Sequence, residues 1–184
     1  MHMSSGKVFQ RTGLIHLYSG SGKGKTTAAM GLCVRAAGFG YRVLIYQFMK
    51  NNSANERKAM EQIPGITFMD GLDREKFSFQ MTDEEKRSRK EFYADRLGKA
   101  FDTAREENYD VLFLDEAIYA VGAGLLEEDL LIRRLLENPE KLEVILTGQN
   151  PGERICSLCD YHSEIRKIKH PFDHEQPARE GIEK

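Results

Sequence analysis

The run Gly20-Ser21-Gly22-Lys23-Gly24-Lys25-Thr26-Thr27 constrains this chain more than any other feature. An apolar stretch, Gly13-Leu14-Ile15-His16-Leu17-Tyr18, leads into it and reads as a buried strand. Ala28 to Gly38 follows and reads as a helix. Strand, glycine-rich turn and helix in that order aim backbone N–H groups at whatever fills the turn, and the helix start adds partial positive charge. That is the build of a phosphate-binding loop, with Lys25 to reach phosphates and the Thr26 hydroxyl to take a place on Mg²⁺. The usual loop has four residues between its first glycine and Gly-Lys-[Ser/Thr]. Here Ser19 stands at that first position, so the loop runs Gly20-x-x-x-Gly24-Lys25-Thr26 and is one residue short. Lys23 is an extra cation inside it, read either as part of the anion site or as a solvated loop lysine.

The rest of the chain repeats the alternation. Strands are expected over 42–48, 66–69, 110–115 and 143–148, with a weaker sixth over 163–168. Helices are expected near 25–38, 82–107, 127–137 and 151–160. Thr82 and Glu85 have capping-box spacing at the start of the second helix. Phe92, Leu97, Ala100, Phe101 and Ala104 recur at helical steps and mark its buried face. Continuous apolar strands alternating with helices predict an α/β fold: a mostly parallel sheet with helices on both faces, P-loop NTPase-like (RecA-like). A length of 184 residues fits one domain over 1–184, with 1–12 expected as a flexible N-terminal segment.

Ligands of such sheets gather at the carboxyl ends of the strands. That rim collects the phosphate loop, Gln47, Asp115-Glu116 and Thr147-Gly148-Gln149. Val111-Leu112-Phe113-Leu114-Asp115-Glu116 has the Walker B form, in which acids at the end of a core strand hold Mg²⁺ or its waters. Strands also end in acids simply at solvent, but a phosphate loop upstream favours the metal reading. Which of the two acids would serve the metal stays open at this level. Cys156-x-x-Cys159 is half a zinc or redox motif, and a structural zinc needs four ligands. Core or half-buried thiols are the preferred reading. A net charge of -2 offers no broad cationic surface for nucleic acid or anionic lipid. No apolar run reaches the roughly 18 residues of a membrane span. The N-terminus lacks the apolar core of a signal peptide. Three cysteines, an odd number, point to a reducing cytoplasm.

With these residues in view, the chain resembles the ATP:corrinoid adenosyltransferases of cobalamin biosynthesis and salvage. The shortened loop is similar to that family's Gly-Asn-Gly-Lys-Gly-Lys-Thr-Thr. Ala36-Ala37-Gly38-x-Gly40, Gln47-Phe48-x-Lys50, Leu114-Asp115-Glu116, Thr147-Gly148 and Lys169-His170-Pro171-Phe172-Asp173 follow in the family's order, with Gly181-Ile182-Glu183 near the end. Two positions depart from it. Gln149 stands where the family usually has arginine, which would weaken phosphate binding or pass that role to Arg154. The family's Phe-Thr-Trp segment is replaced by Phe77-Ser78-Phe79, in a chain with no tryptophan. Phe77 and Phe79 read either as rings beside the corrin or as ordinary loop packing.

The resemblance implies transfer of the 5′-deoxyadenosyl group of ATP to cobalt, with release of triphosphate. Co(I) is itself the nucleophile, so the chemistry asks the protein for positioning and charge stabilisation. On this reading Lys25, Thr26 and Glu116 are catalytic. Gly20 to Thr27, Gln47, Phe77 and Phe79 bind the substrates, and Thr26, Asp115 and Glu116 face the metal. The resemblance further implies a homodimer and a flavodoxin-like reductant. Two alternatives are a P-loop kinase of the thymidine-kinase type and a non-catalytic ATP-binding regulator. Products separate them: triphosphate for the transferase, ADP for the kinase, little of either for the regulator.

Overall fold

The computed structural model describes residues 13–72, 74, 76, 78–138 and 141–183. The elements are β1 (Ile15–Ser19), α1 (Lys25–Phe39), β2 (Val43–Gln47), α2 (Asn55–Met60), β3 (Ile66–Phe68), α3 (Asp83–Glu106), β4 (Val111–Asp115), α4 (Ala117–Gly122), α5 (Glu128–Leu136), β5 (Glu143–Thr147), α6 (Glu153–Leu158) and β6 (Tyr161–Glu164). Short 3₁₀ turns cover Ser78–Gln80 and Pro171–His174. The strands form one sheet, β3-β2-β4-β5-β1-β6, and every pair is parallel. The fold is α/β and RecA-like.

Burial explains the strand order. All five residues of β2 and of β4 are buried, as expected of strands covered on both faces. Their side chains divide between two cores. Val43, Ile45, Val111, Phe113 and Ile145 meet Ala29, Met30, Cys33 and Ala36 of α1, whose spacing keeps them on one helix face. Leu44, Tyr46, Leu112, Leu114, Val144 and Leu146 meet α3, α4 and α5 on the other side. Gly40 closes α1 in the left-handed conformation, and its N–H donates to Ala37 O at 2.9 Å. At the far edge β6 is exposed throughout.

The capping box of α3 forms. Glu85 N donates to Thr82 Oγ1 at 3.2 Å, and Thr82 N to Glu85 Oε2 at 2.7 Å. Its buried stripe is Tyr93, Leu97, Ala100, Phe101 and Ala104, so Tyr93 rather than Phe92 opens the inward face. The steps from Tyr93 keep one helical face, and its hydroxyl also accepts the Met49 N–H at 3.0 Å. The sixth strand lies earlier than expected, at 161–164 instead of 163–168, because the backbone from Ile165 onward is drawn across the phosphate loop. Helices α2 and α4 were not anticipated. Among the described residues no helix is long and apolar enough to cross a membrane.

Candidate active site

The loop after β1 turns on Gly20 (φ +111°) and Gly24 (φ +120°). Its outer side is braced by the segment that follows β6. Gly22 N donates to Ile165 O at 2.7 Å, and Lys167 N to Ser21 Oγ at 3.3 Å. The fit leaves no room for a side chain, since a Cβ on Gly20 would lie 2.4 Å from Ile165 O. Lys25 is buried at the start of α1 and donates to Gly22 O at 3.0 Å, folded back over the loop. Lys23 points the other way, 3.4 Å from Glu183. Arg179 also grips Glu183, and this hydrogen-bonded pairing holds the Glu183 carboxyl down to about 2.

Asp115 ends β4 with none of its surface exposed. Its Oδ1 accepts the hydroxyls of Thr26 at 2.9 Å and Thr147 at 2.7 Å. Its Oδ2 accepts from Gln47 Nε2 at 3.1 Å and faces Lys50 Nζ at 2.9 Å. The sheet order makes this possible. β5 lies between β1 and β4, so Thr147 at its end joins the loop side to the acid side. Thr147 also accepts the Glu116 N–H at 2.8 Å. That bond holds Glu116 in the left-handed conformation (φ 57°) from which α4 begins. The two acids therefore diverge: Asp115 is locked into hydrogen bonds, while Glu116 faces open space. Burial, reinforced by the Asp115 charge, raises the Glu116 carboxyl above its ordinary value, against the pull of Lys50 and Lys25.

Lys50 and Glu56 complete the network, and the sequence reading gave neither a site role. Lys50 Nζ lies 2.8 Å from Glu56 Oε1, which also accepts from Gln47 Nε2 at 3.2 Å. Burial alone would make Lys50 less basic, but the charges and hydrogen bonds of Asp115 and Glu56 reverse this and raise it. The available signal was position, because Lys50 lies just beyond the carboxyl end of β2, on the rim where such sheets bind ligands.

Two cavities meet here. The first, about 760 Å³, is lined by Ser21 to Thr27 on one wall and by His170, Pro171, Phe172 and Ile182 on the other. The second, about 700 Å³, is lined by Phe79, Tyr119, Lys76 and the turn after β2. Lys50, Asn55, Glu56, Glu116, Gln149 and Glu183 line both. Phe79 is 79% exposed and so faces the second cavity rather than packing into a core. Phe77 lies outside the described residues. Gln149 stands at the seam, whereas Arg154 pairs with Asp129 at 2.5 Å and lines neither cavity, so it does not take the missing arginine's place. Cys33 is buried, and Cys156 and Cys159 are half-buried. Burial pushes the thiols of Cys33 and Cys159 up to about 12. Among the described residues no cluster of three or more His, Cys, Asp or Glu side chains could hold a metal by itself.

A parallel sheet with a phosphate loop after its first strand, and an acid on a strand one removed, defines a RecA-like P-loop protein. The KaiC-like protein PH0186 of Pyrococcus horikoshii OT3 shares the fold, with a TM-score of 0.56 over 86% of this chain and 75% of that one, at 18% identity. A model of the family described as ATP:corrinoid adenosyltransferase BtuR/CobO/CobP matches residues 11–183. The corrinoid adenosyltransferase of Escherichia coli K12 is 31% identical over 171 residues, which cover 93% of this chain and 85% of that protein. The corrinoid adenosyltransferase CobA of Salmonella typhimurium LT2 is 31% identical over 174 residues, covering 95% and 87%. A Sinorhizobium corrinoid adenosyltransferase is 32% identical, covering 93% and 80%. The chain belongs to the ATP:corrinoid adenosyltransferase family and is an enzyme of that type. The kinase and regulator readings are not favoured.

Proposed function

We propose that this chain transfers the 5′-deoxyadenosyl group of ATP to the Co(I) centre of a corrinoid and releases triphosphate. The Co(I) electron pair forms the cobalt–C5′ bond. The C5′–oxygen bond breaks, and its pair leaves on the triphosphate. No protein nucleophile or base is required, so the residues act by orientation and charge. The observation that carries the reading is the phosphate loop, tied through Thr26 to Asp115, opening where two cavities share a wall. ATP phosphates take the first cavity, held by the N–H groups of Lys23 to Thr27, with the Lys23 side chain beside them and Lys25 swung from Gly22 O onto the anion. The corrinoid takes the second, with Phe79 beside the ring.

Mg²⁺ fits the donors at this point. The Thr26 hydroxyl, the Asp115 carboxylate and the neighbouring Glu116 are hard oxygens of the kind it prefers. Thr26 and Glu116, which line the first cavity, would hold the ion or its waters, with the buried Asp115 fixing the Thr26 hydroxyl behind them. When bound, the ion neutralises charge on the triphosphate. Gln47 orients Asp115 through its Nε2. Family membership further supports a homodimer served by a flavodoxin-like reductant, and the odd cysteine count supports a cytoplasmic location.

An anaerobic reaction with ATP, Mg²⁺, cobalamin or cobinamide and a strong chemical reductant tests this. Loss of the Co(I) absorption with stoichiometric triphosphate is the expected result. An unchanged spectrum, with ADP or no product, would overturn it.

A further inference from the structure

Lys50 is the sole lysine or arginine, among the described residues, that lines both cavities. Lys23 and Lys25 line only the first, and Lys76 only the second. Lys50 also faces the outer oxygen of Asp115. Oδ1 takes the Thr26 and Thr147 hydroxyls on the loop side, and Oδ2 takes Gln47 and Lys50 on the seam side. The ammonium has three N–H donors. Two point at carboxylates, Asp115 at 2.9 Å and Glu56 at 2.8 Å, and no described group takes the third. The side chain keeps 28% of its surface open, so the third donor is within reach of a ligand. The other groups common to both cavities are acids or neutral amides.

We propose that Lys50 is a catalytic cation for the leaving group, donating to the α-phosphate end of ATP as the C5′–oxygen bond breaks. The inference rests on the reading above, in which phosphates fill the first cavity and the corrinoid the second. With one end of the triphosphate in the loop, the end that carries C5′ must lie at the seam. The departing electron pair collects on the oxygen between C5′ and the α-phosphate. A fixed cation at that oxygen acts mainly in the transition state, where the charge is greatest. Glu56 is its positioning residue, since one oxygen holds both Lys50 and Gln47 against Asp115.

The test compares wild type, Lys50→Met and Lys50→Arg in single-turnover transfer from ATP to chemically reduced cobalamin. ATP dissociation constants come from calorimetry. Each rate is repeated with ATP carrying sulfur on the α-phosphate. Lys50→Met is expected to slow transfer by about a hundredfold to a thousandfold, the usual loss of one preorganised donor, while ATP affinity falls far less. Lys50→Arg should recover part of the rate. Sulfur should slow the wild type and have little further effect on Lys50→Met, a readout that a purely structural lysine would not move. A Lys50→Met rate near wild type, or one that falls only as ATP affinity falls with the sulfur effect intact, overturns the inference. Absence of transfer by the wild-type protein would instead overturn the function beneath it.

Discussion

At the scale of single residues, the site is organised around a carboxylate rather than around the loop. Asp115 accepts hydrogen bonds or charge from Thr26, Thr147, Gln47 and Lys50, which come from three separate segments of the chain. Asp115→Asn leaves the shape but sets an amide against four donors. We expect a stability loss of about 1–3 kcal/mol, measured by urea unfolding, together with lost activity. Glu116→Gln removes a charge that faces the cavities, so it should reduce the Mg²⁺ response of activity and leave unfolding almost unchanged. Equal destabilisation by both variants would contradict this division. Lys25→Ala should weaken ATP binding by about tenfold to a hundredfold in calorimetry, the worth of one charge-assisted hydrogen bond. An unaltered dissociation constant would remove Lys25 from the anion site.

Among elements, β1 and the loop beyond it are held mostly by partners distant in sequence. Glu143 on β5 accepts the N–H groups of Gly13 and Leu14 and lies 2.5 Å from His16 Nε2. Burial would raise its carboxyl, but the bonds from His16, Leu14 and Gly13 prevail and lower it. A lowered carboxyl stabilises the fold above its unfolded pKa near 4.5, and that contribution is lost as pH falls through the folded value. Glu143→Gln should therefore lower stability at neutral pH, and the gap to wild type should narrow on acidification. A constant gap across pH would refute this. Gly20→Ala meets both a left-handed backbone and the Ile165 carbonyl. It should reduce ATP affinity and, from backbone strain alone, stability by about 1–3 kcal/mol. The strands that frame the sheet, α1 and α3 were legible because each spans enough residues to show a period or a continuous apolar run. Helices α2 and α4 have six residues each, under two turns, and carry no readable period. The shift of β6 and the roles of Lys50, Glu56 and Thr147 depend on which side chains meet across the sheet, and chain spacing does not encode that. Tyr93 takes the place of Phe92 because it stands four residues before Leu97, on the buried face, where its ring meets Phe48 and its hydroxyl accepts the Met49 N–H.

For the molecule as a whole, the segment from Ile165 to Glu183 serves as a wall. Its backbone braces Ser21 and Gly22, and its side chains close the first cavity opposite the loop. A chain ending at Lys167 keeps all six strands and the brace but loses that wall. It should melt within a few degrees of wild type and bind ATP more weakly. A large drop in melting temperature would show that the segment also carries the fold. The strand order has a consequence for biosynthesis. β1 leaves the ribosome first, yet both strands that flank it, β5 and β6, are made much later. Leu14 and Glu143, which meet across that junction, are 129 positions apart. At about 5–20 residues per second, the nascent β1 waits on the order of ten seconds with both edges bare. During that interval an apolar strand followed by a flexible glycine turn is open to mispairing and to chaperones. The brace on that turn, from Gly22 N to Ile165 O, is the last piece to arrive, because it forms only once synthesis has passed β6.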